Sequence, residues 1–170
     1  MKILALILVA CLSGCATTER LSIEHVHGTD YRITGKLDQD EYDEIIRIVK
    51  AHPKEPITFY VSSGGGTSHD LFECMDALYQ HGQVHWYSLD RCDSACAILA
   101  LSTRHAHGNY RLHSFYRHKD HHKEPAPYYN NLVLDRLGKY GYDTDKLHHM
   151  FHSPEVLWDI TLDDGVIVEH

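Results

Sequence analysis

Hydrophobic and polar positions alternate with two different periods along the first half of the chain. Residues 31–35 and 57–61 are short runs rich in β-branched and aromatic side chains, which predicts strands. Residues 39–50 and 68–80 carry apolar side chains at helical spacing, which predicts amphipathic helices, the first with Asp38 as its N-cap. The predicted order is therefore strand, helix, strand, helix.

The same alternation continues toward the middle of the chain. A strand is predicted over residues 83–89, a helix over residues 94–101 and a strand over residues 109–116. Strands and helices that alternate with short connections are typical of parallel strands crossed by helices. The predicted fold class is therefore α/β, with a core of that kind.

The pattern changes in the last third of the chain. Residues 117–127 are polar, charged and end in proline, which predicts a surface loop. Helices are predicted over residues 128–140 and 143–151, and residues 158–168 predict a turn of helix followed by a closing strand. No internal repeat is visible in the sequence.

Composition limits the size and the partners of the protein. The chain has 170 residues, 43% of them hydrophobic, which is enough for one domain, expected over residues 31–170. There are 24 Asp and Glu residues against 16 Lys and Arg residues, and the formal net charge is −8. Because no basic block is dense enough to neutralise a run of phosphates, a nucleic acid is not an expected partner.

The amino terminus has the layout of a secretory signal. Lys2 precedes an apolar run over residues 3–12, which is too short to span a bilayer, and small residues follow it. We expect residues 1–15 to form a signal peptide and residues 16–30 to form a tether and an N-terminal segment.

The end of this signal, LSGC, resembles the bacterial lipobox. The resemblance implies that Cys15 is diacylated and becomes the first residue of the mature chain. It also implies the inner leaflet of the outer membrane, facing the periplasm, because Ala16 stands where an Asp would retain the protein at the inner membrane. The membrane would then be a partner through Cys15. An ordinary cleaved signal that ends in cysteine is the alternative.

Three cysteines would remain after removal of the signal peptide: Cys74, Cys92 and Cys96. In an oxidising compartment an odd number leaves at least one free thiol or an unusual partner. A bridge between Cys92 and Cys74 is one pairing that the sequence leaves open. Cys96 lies in an apolar run, which predicts a small buried residue.

Three segments carry candidate chemistry, and they follow one another along the chain. Residues 60–66 (YVSSGGG) end a predicted strand in a glycine turn, and residues 93–97 (DSACA) place a serine at the start of a predicted helix. Residues 110–114 (YRLHS) place a histidine in the next predicted strand. In this order the segments resemble the proteolytic subunit of the Clp protease and its crotonase-like relatives. The resemblance extends over about residues 35–118.

The resemblance implies a serine hydrolase, and specifically a peptidase that acts on a peptide or protein. Ser94 would be the nucleophile and His113 the general base, while the backbone N–H groups of Gly66 and Ala95 would form the oxyanion hole. Gly65 would shape the turn. Such chemistry needs no cofactor and no metal, and the family resemblance also implies a homo-oligomer.

The base and its acidic partner are less closely specified by the sequence. His118 matches the family's distance from the serine better than His113, but it opens a polar segment that would position a base poorly. The third member of a triad would be a carboxylate, and we select Glu155, with Asp159 and Asp145 as alternatives. None of the three lies in a recognisable family context.

Two other functions stay open. A serine before small residues is also a favoured helix N-cap, so the chain could be an inactive binding or scaffold lipoprotein on the same fold. The chain also has 16 histidines, several in clusters near residues 105–107, 118–122 and 148–152, and imidazole is a common ligand of transition metals. A histidine-rich metal-binding lipoprotein is therefore the third candidate.

Overall fold

The computed structural model of the chain describes residues 22–120, 122–152, 156–163 and 166–169. The strands of the described part are β1 (Ser22–His27), β2 (Asp30–Thr34), β3 (Ile57–Ser63), β4 (Val84–Cys92), β5 (His105–Leu112), β6 (Tyr116–Lys119), β7 (His122–Pro125), β8 (Trp158–Asp163) and β9 (Val166–Glu169). The helices are α1 (Gln39–Ala51), α2 (Leu71–His81), α3 (Ala95–Leu101), α4 (Pro127–Lys139) and α5 (Thr144–Leu147), which continues as a 3-10 turn over His148–Phe151.

The described strands form one seven-stranded sheet in the order β1-β2-β3-β4-β5-β8-β9 and a separate β6-β7 hairpin. Strands β2, β3, β4 and β5 are parallel and are connected by α1, α2 and α3. The outer strands β1, β8 and β9 pair antiparallel. The predicted α/β class is confirmed, and the parallel part occupies the centre of the sheet.

The centre of the sheet is also the centre of the core. Side chains along β3 alternate between buried and half-buried, and Phe59 contacts Trp86 of β4 at a ring-centroid distance of 5.5 Å. Every residue of α3 is buried, because this helix packs against the sheet and against α2. Burying a large apolar side chain contributes about 1.5–3 kcal/mol, so α3 is firmly fixed to the sheet.

Four sequence predictions need correction. The strand predicted over residues 109–116 is β5, which begins at His105 and ends at Leu112. The sequence did not indicate the earlier start, because His105 and His107 are polar although they flank buried Ala106. The loop predicted over residues 117–127 is mostly the β6-β7 hairpin. For residues 158–168 a turn of helix and a closing strand were expected, but residues 158–163 and 166–169 form two antiparallel strands. Strand β1 lies within residues 16–30, for which a tether and an N-terminal segment were predicted but no strand.

Helix α4 is attached to α2 by polar contacts. The Tyr140 hydroxyl, just beyond α4, donates to Oδ1 of Asp76 at 2.6 Å, and Nε of Arg136 donates to Oδ2 of the same carboxylate at 3.3 Å. This attachment matters for function because α4 supports the segment that follows β5. Within the described ranges, no helix is long and apolar enough to cross a membrane.

Candidate active site

The glycine turn and the serine turn meet at the carboxyl edge of the parallel strands. Ser63 at the end of β3 lies opposite Cys92 at the end of β4, and its carbonyl accepts the N–H of Asp93 at 3.0 Å. The next N–H, that of Ser94, donates to the carbonyl of Arg111 in β5 at 2.7 Å. Backbone hydrogen bonds from both neighbouring strands therefore hold the serine turn.

Ser94 occupies a backbone conformation that is rare for a side chain other than glycine. Its φ is 54° and its ψ is −120°, and it directly precedes α3. Such a conformation costs of order 1–3 kcal/mol and is found mainly at functional sites. Ser94 stands at the N-cap position, but in the described part of the chain its hydroxyl makes no capping hydrogen bond. The turn has the sharp strand-to-helix form that exposes a nucleophilic hydroxyl.

Gly65 packs directly against this turn. Its φ is +87°, and a Cβ built on it would lie 2.6 Å from the Asp93 carbonyl oxygen, 2.7 Å from Cβ of Ser94 and 3.1 Å from the Ala95 nitrogen. These distances leave no space for any side chain. Glycine is therefore required here for close approach of two backbones as well as for the positive φ.

The two predicted oxyanion donors have free N–H groups. The N–H of Gly65 is already used, because it donates to Oγ of Ser63 at 3.1 Å. Leu37 pairs with the glycine turn through Gly65 and Thr67, which leaves the intervening N–H of Gly66 on the other side. Among the described residues, neither Gly66 nor Ala95 donates its N–H to a protein acceptor. Both N–H groups are thus unused within the described chain; Ala95 is 1% exposed, and its N–H belongs to the first turn of α3.

Asp93, the residue before Ser94, helps to fix the serine turn through ion pairs. The residue is 4% exposed, and its carboxylate accepts Nε of Arg91 at 2.5 Å and both Nε and Nη2 of Arg111 at 2.7 Å. This bidentate contact raises the pKa of Arg111 above its usual value. A buried carboxylate with two guanidinium partners holds the residue before Ser94 in one position.

A disulfide spans the same turn and corrects two expectations. Cys92 is bonded to Cys96, with a Cα–Cα distance of 5.2 Å, so Cys92 does not pair with Cys74 and Cys96 is more than a small buried residue. Cys74 is a free and fully buried thiol, and burial raises its pKa well above the usual range. The sequence left this pairing open because connectivity depends on the three-dimensional path, here a tight strand-to-helix turn.

His113 follows the end of β5 and is half-buried. Its Nδ1 lies 2.7 Å from the carbonyl oxygen of Ser114. Because a carbonyl oxygen can only accept, the Nδ1–H group is the donor of this hydrogen bond. This tautomer leaves Nε2 as an acceptor, which is the protonation state that a general base needs. The segment is held by α4, since Oδ1 of Asn130 accepts the N–H of Phe115 at 2.6 Å.

The serine turn and the histidine segment line one open cavity of about 900 Å³. Ser94, His113, Gly65 and Gly66 all border it, so the structure brings together residues that are distant in the sequence. His118 borders it as well, from the exposed β6-β7 hairpin. Within the described contacts, no hydrogen bond joins Ser94 to either imidazole, and both histidines remain candidates for the base.

Among the described residues, no candidate acid makes a contact with His113. Glu155 lies outside the described residues. Asp159 lies on β8 opposite Arg111 and borders a separate cavity, while Asp145 lies on α5 and borders a third cavity. The carbonyl of Ser114 takes the position that the carboxylate of a triad would have at Nδ1. Cys15, the predicted lipidation site, also lies outside the described residues.

Several residues that support the site were not selected from the sequence: Asp93, Arg91, Arg111 and Asn130. An Asp directly before a candidate nucleophile was a visible signal for the first of them. Arg91 lies only two residues before its partner Asp93, but Arg111 and Asn130 could not have been found, because their partners are 18 and 15 residues away along the chain. Histidines of two predicted clusters take part in ring stacking: His105 stacks on His85, and His148 stacks on His152. The described residues include no group of three or more His, Cys, Asp or Glu that could hold a metal ion.

Comparisons with solved structures find a similar fold in two peptidases. No protein-family model and no curated protein sequence matches the chain. Among solved structures, the chain resembles the 1510-N membrane-bound stomatin-specific protease, solved as a serine-to-alanine mutant, with a TM-score of 0.58 and 15% identity over 73% of this chain and 71% of that one. It also resembles a peptidase from Plasmodium falciparum, with a TM-score of 0.60 and 15% identity over 81% and 90% of the two chains. At this identity the likeness is one of fold.

Proposed function

We propose that the protein is a serine hydrolase that cleaves peptide bonds, with Ser94 as the nucleophile. The observation that carries the proposal is the strained backbone of Ser94, whose hydroxyl makes no capping hydrogen bond. It lies beside two backbone N–H groups that have no acceptor among the described residues. Strain at a residue persists only where the surroundings enforce it, and here a glycine turn, an ion pair and a disulfide do so. The resemblance in fold to solved peptidases supports the same class of reaction.

The reaction would proceed by acyl transfer to the serine. Oγ of Ser94 attacks the scissile carbonyl while Nε2 of His113 accepts the hydroxyl proton, and the N–H groups of Gly66 and Ala95 donate to the developing oxyanion. The histidine then returns this proton to the leaving amine as the C–N bond breaks. A water molecule, deprotonated by the same imidazole, hydrolyses the acyl-enzyme and restores Ser94. The Ser114 carbonyl holds the ring through Nδ1.

Labelling and kinetics together test this proposal. A fluorophosphonate probe should label the parent protein and not Ser94→Ala, and turnover of a short acyl-peptide ester should fall at least about 10³-fold in Ser94→Ala and in His113→Ala. The double variant should be little worse than either single variant, because the two residues act as a unit. Ser88→Ala, on β4 outside the cavity, is the matched control.

Two results would contradict the proposal or change the base. If Ser94→Ala alters neither labelling nor turnover while its melting temperature is unchanged, Ser94 is only the residue before a helix. If His118→Ala loses the rate and His113→Ala keeps it, the base comes from the hairpin. An inactive binding protein is the second candidate, and the lack of a described carboxylate at His113 favours it.

We further propose that the protein is anchored to the outer membrane through lipidated Cys15, facing the periplasm. Two acyl chains give stable attachment where one chain is marginal. Cys15→Ser should move the protein from the membrane fraction to the soluble fraction after a carbonate wash. Cys11→Ser, within the predicted signal peptide, should stay in the membrane. Equal retention of both variants would rule out the lipobox interpretation.

Self-association is the last part of the proposal. The seven-stranded sheet ends in two strands, β1 and β9, that have a sheet partner on one side only within the described chain. Unpaired strand edges are natural sites of pairing between copies. Sedimentation of the Cys15→Ser protein should therefore show an oligomer at micromolar concentration, and a monomer throughout that range would contradict this point.

A further inference from the structure

The charge of the candidate active-site cavity is opposite to the charge of the protein. The chain carries a formal net charge of −8, yet the charged residues among the described ones that border the cavity are Lys36 and Arg91, with no Asp or Glu; His113 and His118 border it as well. The neighbouring cavity beyond the serine turn is different, since Asp90, Asp93 and Asp159 border it together with two arginines. The absence of carboxylates is thus a property of this cavity.

Lys36 is held at the rim of the cavity by its backbone neighbours. The N–H of Gly35 donates to the Ser62 carbonyl at 3.1 Å, and the N–H of buried Leu37 donates to the Gly65 carbonyl at 3.0 Å. The residue between them is exposed, and its ammonium group forms no ion pair within the described chain. A cation without an internal partner is free to bind a ligand.

Arg91 provides the second permanent charge. Its Nε is bonded to Asp93, and its guanidinium lies over the glycine turn, because a Cβ built on Gly64 would be 3.1 Å from both Cζ and Nη2. In the described contacts the two terminal nitrogens make no hydrogen bond to protein, so they are unused donors of a residue that borders both this cavity and the neighbouring one. Arg91 and Lys36 both border the cavity that contains Ser94.

From this arrangement we infer that the hydrolase selects substrates that carry a carboxylate close to the scissile bond. The inference rests on the proposed function and specifies its substrate class. The carboxylate would bind Lys36 and the free nitrogens of Arg91 while the scissile carbonyl lies at Ser94. It belongs either to an acidic side chain or to the free carboxyl terminus of a short peptide, since both present the same anion to these cations.

Matched substrates test the inference on the full chain. One pair of fluorogenic acyl peptides has Glu or Gln beside the scissile bond, and a second pair ends in a free carboxylate or an amide. At least one charged member should have a kcat/KM about twofold to fivefold higher than its neutral partner, the effect of one ion pair close to water. The preference should shrink in 1 M salt, where the screening length is about 3 Å.

Variants of Lys36 assign the effect to this site. Lys36→Met should remove most of the preference, whereas Lys36→Arg, which keeps the charge, should retain it. Lys50→Met, at the exposed end of α1, should leave the preference unchanged. Arg91 is not used for this purpose, because its removal would also disturb Asp93.

Failure of the inference can be told from failure of the proposed function. Turnover that depends on Ser94 but is equal for charged and neutral substrates would overturn the inference and keep the hydrolase. In a parallel arm, binding of the labelled peptides to Ser94→Ala is measured directly, without turnover. If no protein turns over either substrate, tighter binding of the charged peptide that depends on Lys36 supports the inference alone, and equal binding overturns it.

Discussion

The two walls of the candidate active site are built in different ways. The serine wall consists of the β4-α3 turn, and backbone hydrogen bonds, a buried ion pair, a disulfide and a close glycine contact all fix it. The histidine wall consists of residues 113–116 after β5, where the His113 Nδ1 contact, the Asn130 contact and a backbone hydrogen bond from Ala126 to Phe115 hold the chain. The proposed nucleophile and oxyanion donors are therefore held by more contacts than the proposed base.

This difference predicts where substitutions act. On the serine wall a change should damage stability and activity together, because the same backbone contacts support both. On the histidine wall a change should reduce activity with a smaller loss of stability, because fewer buried groups are involved. The following predictions run from the largest expected effect to the smallest.

Gly65→Ala should have the largest effect. The new Cβ would overlap the Asp93 carbonyl and Ser94, and the φ of +87° is also unfavourable for alanine. We expect a loss of more than about 3 kcal/mol in the free energy of unfolding and no measurable turnover.

Gly141→Ala is the matched control, since its φ is +99° but no atom lies within 4 Å of the new Cβ. It should lose only about 1 kcal/mol. Equal losses in urea unfolding would contradict the close packing of the two turns.

Asp93→Ala should have the next largest effect. It leaves two guanidinium groups without their carboxylate and removes a buried support of the serine turn. Because Arg111 is partly exposed, we expect a loss of about 2–3 kcal/mol, at the low end for a broken buried ion pair. Glu44→Gln breaks the exposed pair with Arg47 and should cost less than about 0.5 kcal/mol. A loss at Asp93 as small as that at Glu44 would show that the ion pair does not support the turn.

Removal of the disulfide should have an intermediate effect. The bridge between Cys92 and Cys96 closes a very short loop, and the loop-entropy relation gives about 2 kcal/mol for it. The double variant Cys92→Ser, Cys96→Ser should have a lower melting temperature and a reduced kcat. Cys74→Ser removes a thiol outside the bridge, so the melting temperature of this control should still fall when a reductant is added. Melting curves of the parent that are identical with and without dithiothreitol would contradict the bridge.

Asn130→Ala should have the smallest effect on stability, and its effect on activity tests the histidine wall. It removes the acceptor of the Phe115 N–H, which we expect to cost about 1 kcal/mol and to lower kcat through misplacement of His113. Asn130→Asp keeps an acceptor oxygen and should recover part of the kcat. Asn131→Ala, which is exposed, should change neither quantity. If kcat and the pH profile of Asn130→Ala match the parent, α4 does not position the base.

Much of the central fold could be predicted from the sequence. The helix predicted over residues 39–50 is α1, and the strand over residues 57–61 lies within β3, because each has a clear period of apolar side chains. The hairpin at residues 116–125 was predicted as a loop, since its side chains are polar on both faces and show no alternation. Antiparallel pairing of β8 with β5 is a long-range contact, and no local pattern indicates it.

The sequence by itself determined the residue types of this protein's candidate chemistry and their order. It contains a glycine turn at the end of a predicted strand and a serine at the start of a predicted helix, whereas His113, predicted inside a strand over residues 109–116, lies just after β5 in the structure. The tertiary structure alone decided how these pieces are held and what surrounds them. The carbonyl partner of His113, the bridge between Cys92 and Cys96, and the cations around Ser94 depend on contacts between distant segments, which the packing of parallel strands brings to one edge.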